Sequence, residues 1–67
     1  MIEVLVNGRP QPVEDGASLS ALLETLGLAR DRVAVERNRE IVRREEWDEV
    51  QLRPADRLEI VHFVGGG

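Results

Sequence analysis

Residues Leu58–Val64 read LEIVHFV, and three glycines follow them at positions 65–67. Successive side chains of a strand point to opposite faces of a sheet, so Leu58 and Ile60 would lie on one face. Val61 and Phe63 would lie on the other. A strand that is apolar on both faces is typical of the middle of a sheet. This run therefore predicts a central strand, with the other elements arranged around it.

A β-hairpin is predicted at the start of the chain. The apolar run Ile2–Val6 is followed by Asn7-Gly8, and both residues tolerate the positive φ angles of a tight hairpin turn. The second strand would cover Arg9–Val13, and its two prolines, which lack an amide donor, place it at an edge of the sheet. The first and last strands are the most hydrophobic, so we expect them to be neighbours. The long connection between them makes their pairing parallel.

One short helix is predicted after this hairpin. Ser18 is a favourable N-cap, and Gly27 stands where a left-handed residue commonly ends a helix. Four leucines between them have the spacing of one apolar helical face: Leu19, Leu22, Leu23 and Leu26. A helix of about two turns is not stable alone, so we expect it to lie across the sheet.

The rest of the chain predicts short elements. Strands are expected at Val33–Val35 and Ile41–Val42, turns at Asn38-Arg39 and Pro54–Asp56, and a helical turn at Arg43–Trp47. Trp47 would be an apolar anchor, and Arg43–Glu46 would be a solvated face with weak ion pairs. The order ββαβ(β)β predicts an α+β fold, a mixed sheet of four or five strands with one main helix on one face. We expect one domain at residues 1–64 and a flexible glycine tail at 65–67.

Composition excludes several functions. The 67-residue chain has no cysteine and no lysine, which excludes disulfides, thiolate chemistry and lysine nucleophiles. Its net charge of −4 argues against nucleic acid, which needs clustered cations. His62 is the only histidine, and we interpret it as a solvent-edge side chain rather than a catalytic or metal-binding group. The sequence shows no signal peptide and no apolar run long enough for a membrane span, so we expect a cytoplasmic protein.

The sheet face opposite the helix has no second helix to cover it. Leu5, Val61 and Phe63 would therefore be partly exposed there, and Val64 follows them. An exposed apolar patch on a small protein is typical of a docking surface. We therefore assign partner docking to these four residues. The alternative is that they pack against loops or against a second copy of the chain.

The glycines that end the sequence have two interpretations. They are a frayed terminus, or they form a tail that threads into a partner's narrow active site, since glycine lacks Cβ and adopts almost any backbone conformation. A carboxylate at neutral pH is a poor electrophile, so its chemistry would need activation in such a site. Because the chain has no cysteine, any sulfur that it carries must be bound through another group, such as this carboxylate.

An ordered set of short motifs links the chain to a known family. The motifs are Val6-Asn7-Gly8, Leu22-Leu23, Val33-Ala34-Val35 with Asn38, Ile41-Val42 followed by Arg44 and Trp47, and Asp56 before the last strand and the glycines. Over its whole length the chain resembles the ubiquitin-like β-grasp sulfur carriers, most closely the ThiS family of thiamine biosynthesis. It departs from them at scaffold positions. Arg39 and Ala55 stand where the family commonly has glycine, and Arg43 stands where it often has proline.

The resemblance implies a reaction centred on Gly67. An E1-like adenylyltransferase (ThiF-like) would use ATP and Mg²⁺ to convert the carboxylate of Gly67 into an acyl-adenylate. Sulfur from a persulfide donor would replace AMP, and the thiocarboxylate would pass its sulfur to a thiazole synthase (ThiG-like). Gly65 and Gly66 would thread into the partner's site. The carrier itself would bind no cofactor or metal and would not be an enzyme.

Three alternatives remain open at this point. The chain could carry sulfur for molybdopterin, tungsten cofactor or cysteine synthesis. It could be a ubiquitin-like modifier that is joined to lysines of other proteins. It could also be a non-covalent β-grasp binding module, for which Gly67 would be dispensable. Deleting Gly66 and Gly67 separates the last class from the others, because only a non-covalent module would keep its full activity.

Overall fold

Five strands form one mixed sheet with the order β2-β1-β5-β3-β4. The computed structural model of the protein describes residues 1–63. The strands are β1 (Ile2–Val6), β2 (Arg9–Val13), β3 (Val33–Arg37), β4 (Glu40–Val42) and β5 (Arg57–His62). The other elements within these residues are one α-helix, α1 (Leu19–Thr25), and two 3₁₀ turns, Arg30–Arg32 and Arg44–Glu46. The predicted α+β fold with one main helix is confirmed.

The central position of β5 agrees with the prediction from its two apolar faces. It pairs parallel with β1, where Leu5 lies opposite Arg57, and antiparallel with β3, whose first residue, Val33, lies opposite His62. The predicted bounds of this strand were wrong, because it begins at Arg57 and ends at His62. The last residue of β5, His62, pairs with Val33, the first residue of β3. Beyond this pair, β3 has no residue that could extend the antiparallel ladder.

Both hairpins turn through left-handed residues. In the first, Asn7 and Gly8 have φ angles of 50° and 83°, as the Asn-Gly sequence predicted. In the second, Asn38 and Arg39 have φ angles of 52° and 73°. Arg39 therefore keeps the left-handed conformation although it has a Cβ atom. The first hairpin places β2 at the edge of the sheet, as its two prolines predicted.

The helix begins and ends where the sequence predicted. The hydroxyl of Ser18 accepts a hydrogen bond from the amide of Ala21 (3.0 Å) and caps the first turn. Gly27 follows the C-cap residue Leu26 with a φ of 72°. The leucine stripe faces the sheet: Leu19, Leu22 and Leu23 are buried and Leu26 is half-buried.

The core lies between α1 and one face of the sheet. Trp47 is its largest side chain, only 1% exposed, and its indole Nε1 donates to the carbonyl of Val42 (2.9 Å), which confirms its role as an anchor. The other buried apolar residues are Val4, Val13, Leu19, Leu22, Leu23, Val33, Val35, Leu52, Leu58 and Ile60. Within residues 1–63, α1 is the only α-helix, so the opposite face of the sheet has no helical cover. We call this second surface the open face.

Candidate functional site

The end of β5 and Phe63 are the last part of the chain that the structure describes. The predicted reaction centre, Gly67, lies outside the described residues, as do Gly65, Gly66 and Val64. Their assigned roles therefore stay predictions. The fold contributes two features to the site. Hydrogen bonds fix the chain up to Phe63, and an exposed surface lies beside it.

On the β1 side, the end of β5 is held by a side chain rather than by a strand. β1 ends at Val6, opposite Leu58. The next residue, Asn7, continues the pairing with its side-chain amide. Its Oδ1 accepts a hydrogen bond from the backbone amide of Ile60 (2.8 Å), and its Nδ2 donates to the carbonyl of Ile60 (3.1 Å). Both backbone groups of Ile60 that β1 no longer reaches are thereby satisfied.

On the β3 side, the hold on the chain extends one residue further. The amide of Phe63 donates to the carbonyl of Arg32 (2.8 Å), directly before β3 begins at Val33. Arg32 ends the 3₁₀ turn Arg30–Arg32, which the sequence analysis did not predict. A turn of three residues has no hydrophobic period, so only its contacts could have revealed it.

A stacked cluster around Trp47 fixes this 3₁₀ turn in place. The guanidinium groups of Arg30 and Arg44 lie 5.3 and 5.5 Å from the indole ring, a distance typical of cation–π contacts. Arg30 donates to the carbonyl of Arg44 (3.0 Å), and Arg44 donates to the carbonyl of Arg30 (2.8 Å). The interpretation of Arg44 as part of a solvated face is correct for its exposure, but its stacking on Trp47 and its hydrogen bond to Arg30 were not predicted. The interpretation holds for Arg43, which forms an exposed ion pair with Glu45.

The start of β5 is organised by Asp56, a buried carboxylate. Its oxygens accept hydrogen bonds from the backbone amide of Arg53 (2.9 Å), from Nδ2 of Asn38 (3.1 Å) and from Nε of Arg37 (3.0 Å). Burial raises the pKa of Asp56, but these hydrogen bonds and the Arg37 charge lower it by more, so it lies below its ordinary value of 3.8. Asp56 thus stays ionised and ties the second hairpin to β5.

The open face carries exposed apolar side chains near the end of β5. Val61 is 58% exposed, Phe63 is 50% exposed, and Ala34 of β3 lies directly opposite Val61. This part of the assigned docking surface is therefore one continuous patch beside the point where the chain passes to the tail. His62, on the same strand, is exposed, as predicted.

Leu5, the other residue assigned to docking, lies apart from this patch. It is half-buried and pairs with Arg57, four residues before Val61, which places it roughly 13 Å along the strand direction. Ile41 of β4 is 76% exposed and lies opposite Glu36 of β3. The sequence analysis did not assign Ile41 to the surface, although strand alternation shows that Ile41 and Val42 cannot share a face.

Two carboxylates occupy the middle of the open face. Glu36 and Glu59 lie directly opposite each other across β3 and β5, between the Val61 patch and Arg57. Like charges at such positions destabilise a sheet by a few tenths of a kcal/mol or more. The open face is therefore apolar near the tail and acidic in its centre. Within residues 1–63, no group of three histidine or acidic side chains is placed to hold a metal ion.

Comparison with known proteins identifies relatives over nearly the whole chain. A sequence profile of the ThiS family matches residues 4–67. A sulfur carrier protein ThiS from Bacillus subtilis is 46% identical over 54 residues, which are 81% of this chain and 82% of that protein. The crystal structure of the thiamine biosynthesis protein ThiS from Geobacter metallireducens is similar with a TM-score of 0.83 and 33% identity, covering 98% of this chain and 100% of that one.

Longer proteins also contain a stretch similar to this chain. A thiazole synthase from Magnetococcus marinus is 44% identical over 66 residues, which are 98% of this chain but 20% of that protein. A thiazole synthase from Paramagnetospirillum magneticum is 39% identical over the same length and share. The chain thus spans about one fifth of the length of these two relatives. No helix among the described residues is long and apolar enough to cross a membrane.

Proposed function

The chain belongs to the ThiS family, and from this membership we propose that it is a sulfur carrier of thiamine biosynthesis that holds sulfur as a thiocarboxylate on Gly67. The hydrogen bonds that fix the end of β5 support the proposal that the tail is the reacting part of the chain. The central strand is bound on one side through Ile60 and on the other through Phe63. A tail that leaves a fixed central strand starts from a defined place and direction.

The proposed chemistry has three steps on the carboxylate of Gly67. An E1-like adenylyltransferase joins this carboxylate to the α-phosphorus of ATP, with Mg²⁺, and releases pyrophosphate. A persulfide sulfur then attacks the carbonyl carbon and expels AMP, and a thiol cleaves the acyl persulfide to leave the thiocarboxylate and a disulfide. In this proposal the chain supplies the reacting group, and its partners supply the catalysis.

We propose a thiazole synthase as the consumer of the sulfur. Support comes from the two thiazole synthases that contain a stretch similar to this chain, because joining a carrier to its consumer raises their effective concentration for each other. The thiocarboxylate sulfur would attack an electrophilic carbon of the thiazole precursor, and water would then cleave the acyl–sulfur bond and restore the carboxylate of Gly67. Carriage for another pathway would leave the three steps that form the thiocarboxylate unchanged and would alter only this transfer.

The open face beside the tail is the proposed docking surface for these partners. Ordering the three glycines costs roughly 1–2 kcal/mol of backbone entropy each. Burying one Val or Phe side chain contributes about 1.5–3 kcal/mol. Burial of Val61 and Phe63 would therefore offset much of that cost, with Leu5 and Val64 at the margins of the contact.

Intact-mass spectrometry tests the carrier function directly. The full chain is incubated with an E1-like adenylyltransferase, ATP, Mg²⁺ and a persulfide donor. We expect a mass increase equal to the replacement of one oxygen by sulfur, located at Gly67 by fragmentation. The control is the chain without Gly66 and Gly67, which should not react.

Other outcomes distinguish the alternatives. An unchanged mass with cognate partners would contradict the carrier function. Adducts with lysines of other proteins would indicate a covalent modifier, and full biological activity of the shortened chain would indicate a non-covalent module. A thiocarboxylate that forms but is not consumed by thiazole synthase would assign the sulfur to another pathway.

A further inference from the structure

Asn7 does more than form a hairpin turn. Its backbone has the left-handed φ of 50° that the turn needs, while its side chain reaches across to β5 and makes two hydrogen bonds with Ile60, separated from it by 53 positions in sequence. Any residue that tolerates positive φ, glycine above all, would satisfy the turn. The two contacts with Ile60 need a side-chain amide.

These contacts lie at the last point where β5 is held from the β1 side. The last backbone hydrogen bond from this side runs from the amide of Asn7 to the carbonyl of Leu58 (2.8 Å), next to the final paired residues Val6 and Leu58. Successive backbone groups of a strand alternate in direction, so the residues that face β1 after Leu58 are Ile60 and then His62. Asn7 serves Ile60. Without it, the residues from Ile60 to Phe63 would be held from the β3 side alone.

We propose that Asn7 is a positioning residue for the reaction at the tail: its side chain fixes the direction in which β5 delivers the chain to a partner. The inference rests on the proposed function, since it concerns the same reacting carboxylate. Asn7 itself touches no reacting atom. Its effect is on how often the free protein holds residues 60–63 in the direction from which the chain enters a partner's site.

Asn7→Gly is the informative substitution. It keeps the left-handed turn and removes both hydrogen bonds with Ile60. In the adenylation assay we expect the KM for the carrier to rise about tenfold, from the loss of two hydrogen bonds, with kcat nearly unchanged. The reason is that a tail, once threaded, meets the same catalytic groups. Asn7→Asp keeps the acceptor for the Ile60 amide but sets a carboxylate oxygen against the Ile60 carbonyl, so its KM should also exceed that of the wild type.

Asn38→Gly is a matched control. Asn38 has a φ of 52°, and it also binds β5, through the amide of Arg57 (3.0 Å) and the carboxylate of Asp56 (3.1 Å). It differs from Asn7 in holding the start of the strand rather than its end. Below the unfolding temperature of both variants, Asn38→Gly should lower stability but leave KM unchanged.

Amide hydrogen exchange supplies a readout that does not depend on any partner. Asn7→Gly should accelerate exchange at Ile60, whose amide loses its acceptor, while amides of α1 keep their protection. Equal KM values for Asn7→Gly and the wild type, or equal KM increases for the Asn7 and Asn38 variants, would overturn the positioning role alone. A wild-type chain that is never adenylated would overturn the proposed function, and with it any role of Asn7 in that reaction.

Discussion

Two residues adopt left-handed conformations that usually belong to glycine. Arg39 has a φ of 73° and Ala55 a φ of 68°, the two positions where related sequences were expected to carry glycine. This conformation costs a residue with a Cβ atom about 1 kcal/mol of conformational free energy. We therefore predict that Arg39→Gly raises the free energy of unfolding by about 0.5–1 kcal/mol, measured by urea denaturation.

Gly8 offers the reverse experiment at the equivalent position of the first hairpin. It has a φ of 83°, and a Cβ atom there would meet no other atom within 4 Å. Gly8→Ala should therefore lower the free energy of unfolding by about 1 kcal/mol through the backbone alone. A loss of stability in Arg39→Gly as well would show that the Arg39 side chain makes contacts that outweigh its backbone strain.

Asp56 predicts a pH dependence of stability. Its folded-state pKa lies below the ordinary value of 3.8, so its stabilisation is complete above that value and is lost as the pH falls through the lower, folded-state pKa. At neutral pH, Asp56→Asn should cost about 2 kcal/mol by weakening three hydrogen bonds to a buried, charged acceptor. Urea titrations from pH 7 to about pH 2 check this. The curves of the wild type and the variant should converge at acid pH, and a constant gap would exclude the ionised carboxylate as the cause.

At the level of elements, the Trp47 cluster joins both 3₁₀ turns to the end of β5. Arg44 donates to the carbonyls of Arg30 (2.8 Å) and Val33 (3.3 Å) and stacks on the indole. Truncation would leave these carbonyls with weaker partners. We predict that Arg44→Ala lowers the free energy of unfolding by about 1–2 kcal/mol, followed by the fluorescence of Trp47, the only tryptophan.

The neighbouring Arg43 is the control for this prediction. Among residues 1–63 its guanidinium pairs only with Glu45, and both side chains are about two-thirds exposed or more. Arg43→Ala should change the free energy of unfolding by less than about 0.5 kcal/mol. If both variants lost the same stability, the effect would follow from charge or helical propensity and not from the stack on Trp47.

Elements that are set by local sequence signals were predicted from the sequence, whereas features that are set by tertiary contacts were not. The hairpins, α1 and the central position of β5 were predicted correctly because turn residues and apolar periods are local signals. The separation of Leu5 from Val61 was not predicted, since no short turn joins β1 to β5 and only tertiary packing sets their parallel register. The role of Arg44 was missed for a related reason: its acceptors lie in Arg30 and Val33, which approach it only in the folded chain.

At the scale of the whole molecule, the two faces of the sheet differ in their surroundings. One face packs against α1 and contains the buried core, while the open face presents Val61, Phe63 and Ile41. The opposed carboxylates of Glu36 and Glu59 add a local cost that burial against a basic partner surface would relieve. The open face is the surface that we propose for partner docking.

The open face predicts the effect of a charge placed beside the tail. Val61 is 58% exposed, so Val61→Asp should leave the protein folded, yet a carboxylate buried in a partner contact is costly to desolvate. We expect kcat/KM for adenylation to fall at least about tenfold, with the far-ultraviolet circular dichroism spectrum unchanged. Ala21→Asp is the matched control, because it adds the same charge at an exposed position of α1, on the other side of the sheet. Equal losses in both variants would indicate a long-range charge effect, and no loss in Val61→Asp would place the docking contact elsewhere on the molecule.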